Sequence, residues 1–336
     1  MMTKTLYVLC AALVAVSVTG CSQAPKQVVV DGVMLGTTLH VSADVRKTTS
    51  QELYAAVQQL DREAKASMSL FDENSLLNRL NRNQTDSVDE HIRYNLLLAD
   101  SIGALSGGRY DVTVKPLVEV WGFAGKERTA DPNIDSILQF VGRQKVRIVD
   151  GRLQKDDPRV QLDFNSIAKG YTVDLLAALV ERLGAQNYIV DIGGEIRCKG
   201  VNAQGNPWRV GIETPFDGND SFGQYLQKRV QLQAGGLATS GNYRRFYIDA
   251  NGRKVAHTID PLTGYSALSR LLSVTVVADN CATADALGTM FLAMGADDAL
   301  AAVATMPDVK VYFILAGEGD RYEEFVSPAM KSLIMQ

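Results

Sequence analysis

The stretch Leu162–Asp174, LDFNSIAKGYTVD, restricts the fold more than any other part of the chain. It opens as an apolar run, passes through the polar pair Asn165-Ser166 and enters a helical pattern in which Lys169 and Gly170 come almost at once. That order predicts a strand feeding a helix. At such a junction the first backbone N–H groups have no partner inside the helix, and they favour an anion, phosphate above all. An acid (Asp163), a hydroxyl (Ser166) and a cation (Lys169) stand beside it. The same residues also allow a plain helix start in which Asn165 or Ser166 is only a cap.

The rest of the chain sets the frame around this junction. Its 336 residues, 46% of them apolar, suffice for a large core and for one or two domains. The formal charge of −4 is spread without blocks of one sign, which excludes a basic nucleic-acid surface. Near the N-terminus, Lys4 precedes an apolar run, Leu6–Val18, too short to span a bilayer as a stable helix. Val18-Thr19-Gly20-Cys21 follows and resembles a bacterial lipobox. The expectation is a lipoprotein signal peptide over 1–20, a lipidated Cys21, a tether over 21–27 and a catalytic domain over 28–336. Acyl chains would hold the protein on the periplasmic face of a bacterial membrane. Ser22 after the Cys favours the outer membrane; an ordinary signal peptide with a chance Cys is the alternative. Cys198 and Cys281 then remain, too few for a disulfide framework or a thiolate metal cluster. A pairing between them and two separate buried thiols both stay open.

Along the chain, Val28–Val41 alternates and predicts a strand or hairpin around Gly36. Ser50 caps a helical pattern through Leu60, Asn74–Asn81 is a short helix, and His91–Leu105 is amphipathic and ends at Gly107-Gly108. Pro116 blocks a continuous helix. A short helix runs from Asp131 to Phe140, and a hairpin turns about Asp150-Gly151. After the organising stretch come strands at Tyr188–Asp191, Ile196–Gly200, Trp208–Ile212, Val230–Gln233, Leu237–Thr239, Tyr243–Ile248 and Leu271–Ala278. Helices at Ala282–Met294 and Asp297–Thr305 and two closing strands follow. Strands and helices are mixed without βαβ regularity, so the class is α+β.

Several constellations could carry chemistry. Asp285 and Thr289 share one helix face, roughly 5–6 Å apart at Cβ. Carboxylate and hydroxyl are hard ligands that suit Mg²⁺ or Ca²⁺ far better than zinc; an acid favoured by the helix dipole is the alternative. His257, in HTIDPLTG, is one of 3 histidines; His40 and His91 read as structural. Gly193-Gly194-Glu195 and Ser240-Gly241-Asn242-Tyr243 are corners that could bring backbone amides to a ligand or be plain turns. GxGxxG and P-loop motifs are absent.

These pieces occur in an ordered set: MLGTTL at 34–39, SLFDENSLLNRLN at 69–81, GGRYDVTVKPLVEVWGF at 107–123, LDFNSIAKGYTVD, VDIGGEIRCKG at 190–200, ATSGNYRRFY at 238–247, HTIDPLTG at 257–264 and ADALGTMFLAMG at 284–295. The set resembles the ApbE family of lipoprotein flavin transferases (FAD:protein FMN transferases) over nearly the whole chain after Cys21. The resemblance implies one mixed sheet-and-helix catalytic domain of the ApbE, T-fold-like type. It also implies an Mg²⁺-dependent reaction in which FMN passes from FAD to a Thr or Ser hydroxyl of an acceptor flavoprotein through a phosphoester, and AMP leaves. Acceptors would be FMN-carrying subunits of membrane redox complexes. An FAD pyrophosphatase using water, or a non-catalytic FAD-binding lipoprotein, are the alternatives.

By family position, Asp285, Thr289 and Ser166 would hold Mg²⁺, with the Gly288 carbonyl or water standing where some members carry a second Asp. Lys169 would lie near the phosphates or balance the site's charge. Asp163 would bind the adenosine or isoalloxazine side of FAD. Arg109, Tyr110 and Asp111 would line the cleft, with Leu35, Ser69 and Ile259 completing it. His257 would deprotonate the acceptor hydroxyl or orient the phosphate, with Asp260 nearby. Leu35 stands where the family usually has Met, and Asn165-Ser166 replaces a more usual Gly-rich or Ser-Thr pair. Gly288 inside a helix costs about 1 kcal/mol relative to Ala, which calls for a local reason.

Overall fold

The computed structural model describes residues 27–335 apart from 124, 126, 217–223, 244 and 320. The expected signal peptide, Cys21 and all but the last residue of the expected tether lie outside the described residues. Strands β1 (Val28–Met34) and β2 (Thr37–Ala43) form the first hairpin. Its turn residues Leu35 and Gly36 take φ values of 52° and 77°, the positive pair that a tight hairpin requires. The Leu35 N–H donates to Asp61 Oδ1 at 2.9 Å, so the turn is pinned to helix α1 (Ser50–Met68). The cap of α1 is Thr49, one residue before the expected Ser50: its hydroxyl accepts from the Glu52 N–H and the Glu52 carboxylate returns to the Thr49 N–H, a full capping box.

Helices α2 (Leu76–Asn81) and α3 (Glu90–Leu105) bury Leu77, Leu80, Ile92 and Leu96 in the main core. Pro116 does not break the next helix; it sits in the first turn of α4 (Lys115–Val120), where a missing N–H costs nothing. Helix α5 (Ile134–Leu138) joins α4 in a satellite cluster of Leu117, Ile134, Val141 and Ile259. Strands β3 (Val146–Val149) and β4 (Arg152–Lys155) turn about Asp150 and Gly151, both at positive φ.

The segment before helix α6 (Ala168–Arg182) differs from expectation. Leu162 and Phe164 are fully buried, yet Leu162–Phe164 belongs to no sheet. The Asn81 side chain replaces a neighbouring strand: its Oδ1 accepts from the Leu162 N–H at 2.7 Å and its Nδ2 donates to the Leu162 carbonyl at 2.9 Å. The Asp163 N–H donates to the Val112 carbonyl at 2.7 Å. Buried backbone polar groups must be paired, and here one amide side chain does the pairing.

The remaining elements are β5 (Tyr188–Ile192), β6 (Glu195–Lys199), β7 (Trp208–Glu213), β8 (Leu226–Leu232), β9 (Ala234–Gly241), β10 (Phe246–Ile248), β11 (Lys254–Ala256), β12 (Leu271–Ala278), helix α7 (Cys281–Met294), helix α8 (Ala296–Ala304), β13 (Lys310–Ala316) and β14 (Tyr322–Val326). Tyr243 lies outside β10, which starts later than the Tyr243–Ile248 expected. An 8-stranded sheet runs β1-β2-β5-β6-β9-β12-β13-β14, every neighbouring pair antiparallel. The architecture is α+β, as the pattern of elements predicts. Helices α6 and α7 cover one face; the β7–β8 hairpin and the C-terminal segment cover the other, around Trp208, Val210, Val230 and Met330. Both faces of β12 are therefore buried, which explains its unbroken apolar run.

Cys198 packs with the hairpin side and Cys281 with the helix side, and both thiols are free and buried. Helix α7 is buried nearly all round. It lies so close to its neighbours that a Cβ on Gly170 of α6 would stand 2.5 Å from the Cys281 carbonyl oxygen, and one on Gly236 of β9 would stand 2.3 Å from the Cys281 nitrogen. Gly170→Ala is therefore expected to destabilise the protein by roughly 1–3 kcal/mol through overpacking, read as a lower urea midpoint at unchanged slope. A midpoint equal to wild type would show that the two helices separate at little cost.

Candidate active site

A cleft of about 310 Å³ opens where the N-terminal turn of α6 and the 285–293 stretch of α7 meet the end of β9, the 109–114 segment and the 243–261 segment. It gathers most of the expected site. Arg109, Tyr110, Asp111, Asp163, Ser166, Lys169, His257, Ile259, Asp285 and Thr289 all line it. Leu35 and Ser69 are placed elsewhere. Leu35 forms the hairpin turn tied to Asp61, and Ser69 closes α1, its hydroxyl accepting from the Phe71 and Asp72 N–H groups. Gly288 does not line the cleft; a Cβ there would stand 2.9 Å from Ser240 Oγ, so close approach of α7 to β9 is the local reason for a glycine inside this helix.

The start of α6 has an unusual cap. Its N-cap is Ile167, which offers no side-chain acceptor, so neither Asn165 nor Ser166 caps the helix. The anion at this helix start is the protein's own: Asp285 of α7 accepts the Gly170 N–H on Oδ2 at 2.9 Å. The favour is returned. Asp174 of α6 accepts the Cys281 and Ala282 N–H groups at 2.9 and 2.8 Å, while Asn280 takes the Thr283 N–H.

Charge in this region is concentrated and poorly solvated. The Lys169 ammonium lies 2.5 Å from Glu195 Oε2, an ion pair by distance although not aligned as a hydrogen bond. Glu195 and Asp285 are both buried. Burial, and next the charge of Glu195, push the Asp285 carboxyl up to about 8; Lys169 and the Gly170 N–H only partly offset this. Burial likewise raises Glu195 against the pull of Lys169. For Lys169, burial favours the neutral amine, but Glu195 and Asp285 outweigh it and hold the ammonium charged. One cation thus serves two buried carboxylates.

The hydroxyls form short links. Tyr110 Oη lies 2.9 Å from Ser166 Oγ, and Thr289 Oγ1 lies 3.4 Å from Ser240 Oγ. Asp163 accepts the Asn165 N–H at 2.7 Å and Asp111 accepts the Thr113 N–H and hydroxyl at 2.8 and 2.7 Å; burial raises both carboxyls. Arg109 bridges Asp260 at 3.3 Å and Asp298 at 3.2 Å. Asp260 is therefore tied to Arg109 rather than to its sequence neighbour His257.

His257 follows β11 directly, its N–H donating to the Arg245 carbonyl at 3.1 Å. Its ring stands edge-on to Phe123 at 6.3 Å, and Nδ1 is buried without a partner. Burial, then the nearby Arg245 charge, lower its pKa to about 4, so the ring is neutral at pH 7 and can accept a proton. Glu195, Ser240, Tyr243 and Arg245 also line the cleft. The sequence marks the corners holding the first three as places where backbone amides could meet a ligand or as plain turns, and gives their side chains no role; an acid directly after a Gly pair at a strand end was the available signal.

The ApbE family model matches residues 35–313. A Haemophilus influenzae protein named FAD:protein FMN transferase is 35% identical over 329 residues, covering 94% of each chain. An Escherichia coli K12 protein of the same name is 33% identical, again covering 94% of each. Among solved structures, the flavin transferase ApbE from Vibrio cholerae superposes with a TM-score of 0.80 at 31% identity, covering 92% of this chain and 99% of that one. The apo flavinyl transferase ApbE of Pseudomonas stutzeri gives 0.81 at 29% identity, covering 92% and 96%.

The His257 environment has a measurable consequence. From pH 6.5 down to about 4 the unfolded chain takes up a proton at this ring and the folded one does not, so stability falls as pH falls. The His257 contribution is at most about 1.4 kcal/mol per pH unit. Urea unfolding between pH 7 and pH 5 should show a shallower loss for His257→Gln than for wild type. Equal slopes would mean that the ring protonates as freely folded as unfolded.

Proposed function

The chain belongs to the ApbE family, and we propose on that premise that it transfers FMN from FAD to a Thr or Ser hydroxyl of an acceptor protein. A new P–O bond forms between the acceptor oxygen and the FMN phosphorus, the diphosphate P–O bond breaks, and AMP leaves carrying that oxygen. The observation that carries this reading is the meeting, in one cleft, of Lys169 at the start of α6, Asp285 and Thr289 on one face of α7, and a neutral His257 with a free ring nitrogen. Phosphoryl transfer needs little covalent help from a protein and depends on positioning and charge.

Each group has a task. Lys169 meets the diphosphate oxygens, and its ammonium stays charged because of its acidic neighbours. Nδ1 of His257 accepts the proton released by the acceptor hydroxyl. An anionic diphosphate nearby raises the affinity of the ring for that proton above its value in the free protein. Asp163, Tyr110 and Asp111, with Arg109 and Ile259, form the walls against which the two halves of FAD pack.

The donor set fits Mg²⁺. Asp285 supplies a carboxylate, and Thr289 and Ser166 supply hydroxyls; Gly288 does not line the cleft, so water can complete the shell, and all are hard oxygens. Burial and the charge of Glu195 raise the Asp285 carboxyl, and a cation beside it would offset both. Among the described residues no group of three or more His, Cys, Asp or Glu is placed to hold a metal alone. That suits an ion shared between one carboxylate and substrate phosphates. When bound, Mg²⁺ would neutralise charge on the phosphoryl oxygens.

We further propose that Cys21 is lipidated and that residues 21–27 tether the cleft to the periplasmic face of a membrane, where FMN-carrying subunits of redox complexes are the acceptors. No described helix is long and apolar enough to cross a membrane.

Purified protein with FAD, Mg²⁺ and an acceptor fragment should yield AMP and flavin fluorescence that stays with the acceptor on a denaturing gel. Free FMN without acceptor labelling would make the protein a pyrophosphatase instead. Asp285→Asn should cut AMP release by about a hundredfold or more, the scale of losing one charge-stabilising group, while FAD still quenches on binding. Full activity in that variant would remove Asp285 from the site. For the anchor, Cys21→Ser should move the protein from the membrane fraction to the soluble one; continued membrane association would argue against lipid at this residue.

A further inference from the structure

Two buried carboxylates and one ammonium share the floor of the cleft, and only one of the carboxylates has a part in the reaction as described so far. We propose that Glu195 is a positioning residue for the transfer: it holds the Lys169 ammonium where the substrate diphosphate must meet it, and keeps that ammonium off Asp285. The proposal rests on reading the cleft as the FMN-transfer site.

The backbone is shaped to deliver this acid. Glu195 opens β6 directly after Gly193 and Gly194, whose φ values are 62° and 96°. The corner is fixed from two sides: the Gly193 N–H donates to the Thr38 carbonyl at 2.9 Å, and Asp191 Oδ1 accepts the Gly194 N–H at 2.8 Å. A Cβ on Gly193 would stand 2.6 Å from the Thr37 side chain, so the turn accepts no larger residue without moving β2. The result is a Glu side chain 5% exposed against a Lys side chain 34% exposed. The carboxylate is the sunken partner, and the ammonium is the one that faces the cleft.

Stability does not explain such a pair. A buried ion pair is often no better than a well-packed apolar pair of similar size, because both charges must be stripped of water. Both residues line the cleft. An ammonium carries three N–H donors, so Lys169 can keep Glu195 and still reach phosphate oxygens. Without Glu195, the nearest buried acid left to Lys169 would be Asp285, four residues along α7 from Cys281 and already bonded to Gly170, the residue after Lys169. An ion pair there would occupy the carboxylate assigned to the divalent ion.

A double-mutant cycle on the full-length protein tests this. Glu195→Gln is expected to lower kcat about ten- to hundredfold, with KM for FAD changed far less, and Lys169→Met is expected to cost at least as much. Because Glu195 acts through Lys169, the double variant should be no slower than Lys169→Met, and Glu195→Asp should recover part of the loss. A second readout needs no turnover. Mn²⁺ binding followed by electron paramagnetic resonance should weaken in Glu195→Gln and recover when Lys169→Met is added. Additive losses in kcat, or a Glu195→Gln protein as active and as Mn²⁺-competent as wild type, would overturn the proposal. Should Glu195→Gln fail to fold, Glu195→Asp runs the same cycle and is held to the same outcomes. A wild-type protein that leaves FAD intact would overturn the transferase reading, and the Mn²⁺ measurement would still decide on Glu195.

Discussion

Helices α6 and α7 cap one another, and the site depends on that exchange. Each helix begins with amides that its own turn cannot satisfy, and each receives a carboxylate from its partner: Asp285 for α6, Asp174 for α7. The exchange works only because Gly170 lets the Cys281 carbonyl and the Asp285 side chain come within ordinary contact of the α6 backbone. Three consequences follow from that one contact. Asp285 is desolvated, Lys169 lines the cleft at the start of α6, and the face of α7 that carries Asp285 and Thr289 lines it too. A substrate with two adjacent phosphates meets an ammonium already held charged there.

Much of this was legible along the chain, but only where the signal was local. The Leu35-Gly36 and Asp150-Gly151 turns, the amphipathic helices and the buried run of β12 each follow from residues within one element. The helix start after Asn165 was legible as an anion site. What could not be read was that the anion is Asp285, 115 residues away in sequence. The strand expected over Leu162–Phe164 failed for a related reason. A buried apolar run needs backbone partners, and nothing in the run reveals that Asn81, 81 residues earlier, supplies them from a side chain.

The residues named from the family's motifs divide along the same line. Asp163, Lys169, His257 and Asp285 converge in the cleft, where α6 and α7 pack together and α7 lies on β9 and β12. Leu35 and Ser69 do not line it: the Leu35 N–H is bonded to Asp61 and the Ser69 hydroxyl to the Phe71 and Asp72 N–H groups. Glu195 was named only as part of a corner, because the Gly pair before it announces a turn and nothing beside it in sequence reveals Lys169 as its partner.

The charge balance of the cleft then argues for how it is used. Three acids, Asp174, Asp285 and Glu195, lie around the helix junction. Asp174 is met by two amides and by Arg197, and Glu195 by Lys169. Asp285 is buried beside Glu195, and both raise its carboxyl; the charge of Lys169 and one amide offset this only in part. A diphosphate entering alone would add negative charge beside that carboxylate and raise the cost further. A diphosphate entering with a divalent cation would lower it, because the cation is attracted to the carboxylate and to the phosphates at once. His257 is kept neutral by burial and by Arg245, and an anionic substrate in the cleft would make it a stronger base.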